Sequence, residues 1–181
     1  MITITYIRDL SRCLFLLNRC NFKFKSFSVV MNKFDKLYRK DAYFISRWAK
    51  HYTNEEFYKR NKKIIIELEK LISRTKKLTP KQKFICSIIY HHGFRMAYSK
   101  KARRYIKEAQ SGGYKRQRWL IASIEDRLLQ LQGKPQKYGT QVVEIKKGKM
   151  KQYKLDNSIS DKERVALGLP KLKDLKRYLE R

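Results

Sequence analysis

Apolar residues recur at helical spacing through the middle of the chain. Phe57, Ile64, Ile65, Leu68, Leu71 and Ile72 fall on one side of a helical wheel and leave Lys and Arg on the other, which predicts an amphipathic helix. Thr53-Asn54-Glu55-Glu56 precedes it with the capping-box pattern, in which the Thr and Glu side chains satisfy each other's free amides. A second start is written in Thr79-Pro80-Lys81-Gln82, with Thr as cap and Pro at the first helical position. Its apolar face is Phe84, Ile85, Ile88 and Ile89, and Tyr90-His91-His92-Gly93 marks its end.

A third helix is expected over about 98–110, with Tyr98, Ala102, Tyr105, Ile106 and Ala109 inward, and it stops at Gly112-Gly113. A fourth is expected over about 115–131, with Trp119, Leu120, Ile124, Leu128 and Leu131 inward, up to Gly133-Lys134-Pro135. Beyond Pro135 the period changes. Val142 to Ile145 and Met150 to Leu155 are short β-favouring runs joined by Lys146-Lys147-Gly148-Lys149, the pattern of a β-hairpin. Ser160-Asp161-Lys162-Glu163 caps a short helix ending at Gly168-Leu169-Pro170, and a basic amphipathic stretch with Leu172, Leu175 and Leu179 follows. Short connections make neighbouring helices antiparallel. The expected fold is therefore mainly α, stacked antiparallel helical hairpins with a small C-terminal β-hairpin and short terminal helices.

With 181 residues, 42% of them apolar, the chain has the size of one domain and enough apolar material for a core. Residues 51–181 are expected to form it, and residues 1–50 a basic N-terminal extension. From Met1 to Met31 the only acid is Asp9 among Arg8, Arg12, Arg19, Lys23 and Lys25. Three readings of that segment stay open: an organelle transit peptide, an upstream stretch before a true start at Met31, or an amphipathic helix over 6–20 that lies on the domain or on an anionic membrane surface. No apolar run approaches the 18–20 residues needed to span a bilayer. Cys13, Cys20 and Cys86 are an odd number without metal or redox spacing, which suits free thiols in a reducing, intracellular compartment.

Charge changes the picture most. The chain carries 45 Lys and Arg against 16 Asp and Glu, a formal net charge of +29. Between Phe57 and Arg118 there are 19 Lys and Arg and 3 acids, a net of +16. More than half of the excess thus lies on helices with an apolar face, and not in a tail. Lys100, Lys101, Arg103, Arg104, Lys107, Lys115, Arg116 and Arg118 surround Tyr98, Tyr105 and Tyr114. Cations neutralise phosphates, and an exposed aromatic among them can stack on an unpaired base. Tyr105, on the apolar face, is expected in the core instead.

Candidate chemistry is concentrated elsewhere. Gln136, Lys137, Tyr138, Thr140 and Gln141 gather hydrogen-bonding groups around Gly139, downstream of Asp126 and Arg127. His91 and His92 are the only close pair of imidazoles. One reading is structural: Asp126 bonds the amides and Arg127 the carbonyls of the hairpin junction, while Gln136 and Gln141 satisfy buried backbone groups. Another makes His91 or His92 a general acid or base oriented by Asp126, with Arg127 and Lys137 holding an anion and Gln136, Tyr138, Thr140 and Gln141 reading a ligand. Metal binding is disfavoured, because adjacent helical side chains diverge by about 100°. No cofactor is expected, for no Gly-rich phosphate loop and no Ser-His-Asp or Cys-His arrangement is present.

His91-His92-Gly93, Trp119-Leu120 with Asp126-Arg127, the run Gly133 to Gln141, and Asp161, Glu163 and Arg164 with Gly168-Leu169-Pro170 follow one another in order. Together they resemble a bacterial domain family marked by a Gln-x-Tyr-Gly-Thr-Gln signature, over about residues 79–181. The resemblance implies a largely helical fold and supports this choice of residues, and it supplies no reaction. Residues 1–78 and the high positive charge are not part of it. The expected function is binding of a polyanion, RNA or a ribonucleoprotein, through the Lys/Arg face. The alternative is an enzyme or small-ligand domain centred on His91, His92, Asp126, Arg127 and the 136–141 loop.

Overall fold

The computed structural model describes residues 32–51, 54–146, 149–156 and 158–179. The segment before residue 32, the Thr53 cap and the Lys147-Gly148 turn lie outside the described residues. The protein is mainly helical.

Helix α1, Lys33–His51, begins at Asn32, whose Oδ1 accepts from the Asp35 amide (3.0 Å) while its Nδ2 donates to Asp35 Oδ2 (2.7 Å). Phe34, Leu37, Asp41, Phe44 and Ile45 recur at three- and four-residue steps and are buried. This helix falls within the stretch assigned above to an extension, yet its apolar stripe belongs to the same core as the rest of the chain. Helix α2, Asn54–Ser73, buries Phe57, Asn61, Ile64, Ile65 and Leu68. The Phe57 ring stacks on Phe44 and meets Phe94 edge-on, each with centroids 5.4 Å apart, so aromatic contacts fasten α1, α2 and the loop at residue 94 together.

Helix α3, Pro80–His91, is the centre of the molecule. The reciprocal Thr79 and Gln82 bonds of the expected capping box start it, and every residue from Phe84 to His91 is buried. It packs on α1, on α2 and most extensively on α4, Met96–Ser111. The turn between α3 and α4 is tight for lack of room: a Cβ on Gly93 would stand 2.5 Å from Tyr98 Cδ2 and 2.9 Å from Ile65 Cδ1. The left-handed residue there is Phe94, at φ 49°.

Helix α5, Trp119–Leu131, packs against α4 and starts later than the periodicity suggests. Gln117 adopts φ 53°, which interrupts helical backbone just before Arg118. Strands β1, Val142–Lys146, and β2, Lys149–Gln152, pair antiparallel with Val142 opposite Gln152 and a register shift between Glu144 and Lys146. The expected second strand reached Leu155; β2 ends earlier because the backbone there turns to Gln136 instead. Gln136 N–H donates to Lys154 O (2.8 Å), and Asp156 N–H donates to Gln136 O (2.7 Å). Helix α6, Asp161–Ala166, has the expected Ser160 and Glu163 capping box, and α7, Leu172–Leu179, lies against β2 with Leu175 buried.

Candidate functional site

The 136–141 loop is folded around one carboxylate. Asp126, fully buried on α5, accepts from Lys137 N–H (2.7 Å) and Tyr138 N–H (2.8 Å) through Oδ1, and from Thr140 N–H (2.9 Å) and Thr140 Oγ1 (2.8 Å) through Oδ2. Gln136 closes the loop from the other side. Its Nε2 donates to Gln141 O and Tyr153 O, both at 2.9 Å, and its Oε1 accepts from Gln141 N–H at 2.7 Å. Gln141 Nε2 reaches back to Ser123 O (3.1 Å) and Thr140 Oγ1 (2.9 Å). Gly139 supplies φ 73°, and a Cβ there would lie 2.5 Å from Gln152 Nε2 and 3.0 Å from Arg164 Nη1. Four of the six signature residues are thus engaged in shaping the loop. Lys137 and Tyr138 contribute backbone amides and project their side chains outward, Lys137 exposed and its Nζ 5.6 Å from the Tyr138 ring centroid.

The imidazoles lie under this loop. His91 Nε2 is 3.1 Å from Ser123 Oγ, so Ser123 joins His91 to Gln141. Burial, then the Arg127 charge, then His92, hold the His91 pKa well below the usual imidazole value, and the ring is neutral. His92 Nδ1 sits 2.7 Å from Asp41 Oδ2. The carboxylate that meets an imidazole is therefore Asp41 on α1, whereas the acid-base reading of the sequence gave that place to Asp126. Both rings are at most 5% exposed.

Arg127 also departs from its expected place. Its side chain is fully buried, with the guanidinium carbon 4.1 Å from the centroid of the Phe94 ring, and it does not face solvent. His91, His92, Asp126, Arg127, Gln136 and Gln141 do come together, as a buried polar layer between the helices and the hairpin. An arrangement of this kind fixes backbone geometry. Asp41 and Ser123 belong to it too. The signal for Asp41 was an acid at a core position of an amphipathic helix; Ser123 gave none.

The outer basic surface is built differently. On α4, Lys100, Arg103, Arg104 and Lys107 are spaced at zero, three, four and seven positions, share one exposed face, and stand opposite buried Ser99, Ala102, Tyr105, Ile106 and Ala109. Arg103 pairs with Glu125 (2.7 Å) and Arg104 more loosely with Glu108 (3.6 Å). Lys100 and Lys107 meet no carboxylate among the described residues. Lys115, Arg116 and Arg118 extend from the loop at the C-terminal end of α4, exposed and likewise without an ion pair among the described residues. Lys101 lies half-exposed beside the stripe, bonded to Glu69 (2.6 Å) with its Nζ 5.1 Å from the Tyr90 ring centroid.

The tyrosines are drawn toward the core. Tyr105 is buried and stacked on Tyr90 (5.9 Å), Tyr98 stacks on the same ring (5.9 Å), and Tyr114 packs on Phe84 (4.9 Å). A second basic surface, not anticipated from sequence, is a groove of about 360 Å³ where Lys33, Lys36, Lys40 and Lys70 surround Leu37 and Leu71. Lys40 is paired there with Glu67 at 2.6 Å.

Cys86 is a buried free thiol whose pKa burial pushes up to about 12. Among the described residues no helix is long and apolar enough to cross a membrane, and no three His, Cys, Asp or Glu side chains are grouped to hold a metal ion. Comparison with protein-family models, with curated proteins and with solved structures finds no match for this chain.

Proposed function

We propose that the protein binds nucleic acid, RNA or a ribonucleoprotein first among its candidates, through the α4 face and the loop that follows it. The observation that carries this reading is the four-cation stripe of Lys100, Arg103, Arg104 and Lys107. It is fixed to the core by the buried half of the same helix and runs about 10 Å along the axis. Cations on a helix already fixed to the core need no backbone ordering to contact phosphates, and the overall +29 draws a polyanion in from a distance. Because Tyr98, Tyr105 and Tyr114 pack into the core, the reading favours contacts to the phosphate backbone over base stacking. The buried polar layer serves this function indirectly, by joining the helices to the hairpin.

Fluorescence anisotropy with a labelled single-stranded RNA tests the proposal. Log affinity should fall linearly with log salt, by about 0.7 for each phosphate neutralised. Absence of binding at low salt, or an affinity independent of salt, contradicts it.

A further inference from the structure

On the outer side of the 136–141 loop a cleft of about 250 Å³ opens between the loop, the end of the hairpin, α6 and the start of α7. Two cations and two acids line it, Lys137 and Arg164 with Asp156 and Asp161. Its apolar wall is Leu155, Ile159 and Leu172. Arg164 is 2% exposed, and among the described residues its guanidinium makes one hydrogen bond, from Nε to Pro170 O (3.0 Å); Asp161 Oδ1 lies 3.8 Å from Nε. A buried guanidinium with donors to spare at the edge of a cleft favours an anionic group there. Each acid is half engaged: Asp161 Oδ1 accepts from Leu172 N–H (2.7 Å), and Asp156 Oδ1 accepts from Ser158 N–H (3.0 Å). The second oxygen of each accepts no bond from the described residues. Lys137 is placed over the cleft by its own amide bond to Asp126, so the buried clamp also positions this cation.

We propose that this cleft binds a free aliphatic α-amino acid, its carboxylate set against Arg164 and Lys137, its ammonium against Asp156 and Asp161, and its side chain on Leu155, Ile159 and Leu172. Cations and acids line the same small apolar-walled cleft, with Asp161 beside Arg164, and a zwitterion satisfies both at once. A simple anion leaves the acids opposed, and a simple amine leaves Arg164 and Lys137 opposed. The same chemistry separates a free amino acid from a peptide C-terminus, which has no ammonium on its last residue. This site is independent of the α4 face.

Isothermal titration of the full chain with L-leucine tests the assignment, with N-acetyl-L-leucine and L-leucinamide as probes lacking one charge each. Saturable leucine binding is expected, with both single-charge probes markedly weaker. The exposed residues carry the mutational arm, since the buried Arg164 contributes to folding. Lys137→Ala and Asp156→Asn should each weaken leucine binding about tenfold while leaving the melting temperature and the affinity for RNA at high salt unchanged. No saturable binding up to tens of millimolar, N-acetyl-L-leucine binding as well as leucine, or full affinity in both variants would overturn the proposal.

Discussion

Asp41 Oδ2 lies 2.7 Å from His92 Nδ1, across 51 positions of sequence, and both side chains are buried. The contact ties α1 to the end of the central helix. It also shows why α1 belongs to the core: an acid placed on the apolar stripe between Leu37 and Phe44 would be costly without a partner inside.

Replacing Asp41 by Ala removes that partner and leaves His92 buried beside a void. The expected loss is about 3 kcal/mol of unfolding free energy, measured by urea denaturation. Asp41→Asn, which retains a hydrogen-bonding oxygen, should lose less. Equal losses for the two variants would show that the contact depends on the carboxylate's charge and not on packing or on a neutral acceptor.

Asp126 concentrates more interactions than any other side chain in the buried layer. Asp126→Ala leaves three amides and a hydroxyl without their acceptor and should cost about 3–5 kcal/mol. Asp126→Asn keeps the shape but adds an N–H against donors, so it should recover only part of the stability. Hydrogen exchange at the amides of Lys137, Tyr138 and Thr140 reads the clamp directly: their protection should fall in both variants, while amides within α3 stay protected.

Gly139 is left-handed at φ 73° and lies where a methyl group would meet Gln152 and Arg164. Gly139→Ala should therefore destabilise by about 1–3 kcal/mol. Gly133 is also left-handed, at φ 73°, but has open space around it, so Gly133→Ala carries the backbone strain without the collision and should cost less. A thermal melt of the two variants compares them.

His91 predicts a pH dependence. Its folded-state pKa is lowered, so below the ordinary imidazole value the unfolded chain takes up a proton that the folded chain refuses. Its contribution to stability is complete above about pH 6.5 and is lost as pH falls below it, with a slope of up to about 1.4 kcal/mol per pH unit. His91→Gln places an amide near the Nε2 position, can keep the bond to Ser123 and removes the titration. Denaturation midpoints between pH 7.5 and pH 5 should fall more steeply for the parent protein than for this variant.

The helices were legible because their apolar faces and caps are local signals: the Thr79–Gln82 and Ser160–Glu163 boxes stand where the sequence put them. The polar concentration at 136–141 was legible for the same reason, as neutral hydrogen-bonding groups cluster around a glycine. Its wiring was not. Asp126 reads equally as a partner of His91 or of the loop amides, and only the tertiary fold decides in favour of the loop. Asp41 and Ser123 were missed because their partners are 51 and 32 positions away. Arg127 reads as a partner of the hairpin carbonyls or as an anion ligand, and its contact with the Phe94 ring, 33 positions away, is not a local signal. Side-chain charge gives a residue's chemistry, whereas its neighbours are set by helices that approach one another from distant parts of the chain.

The central claim is that the exposed cations of α4 and its following loop bind nucleic acid as a fixed surface. The most direct test is the salt dependence of RNA affinity for the parent protein beside a variant in which Lys100, Lys107, Lys115 and Arg116 are all replaced by Gln. The variant should keep its melting temperature, bind RNA more weakly at low salt and show a slope shallower by about 0.7 for each cation that contacts a phosphate. An unchanged slope and affinity in a folded variant would contradict the claim and move the interaction to another part of the chain.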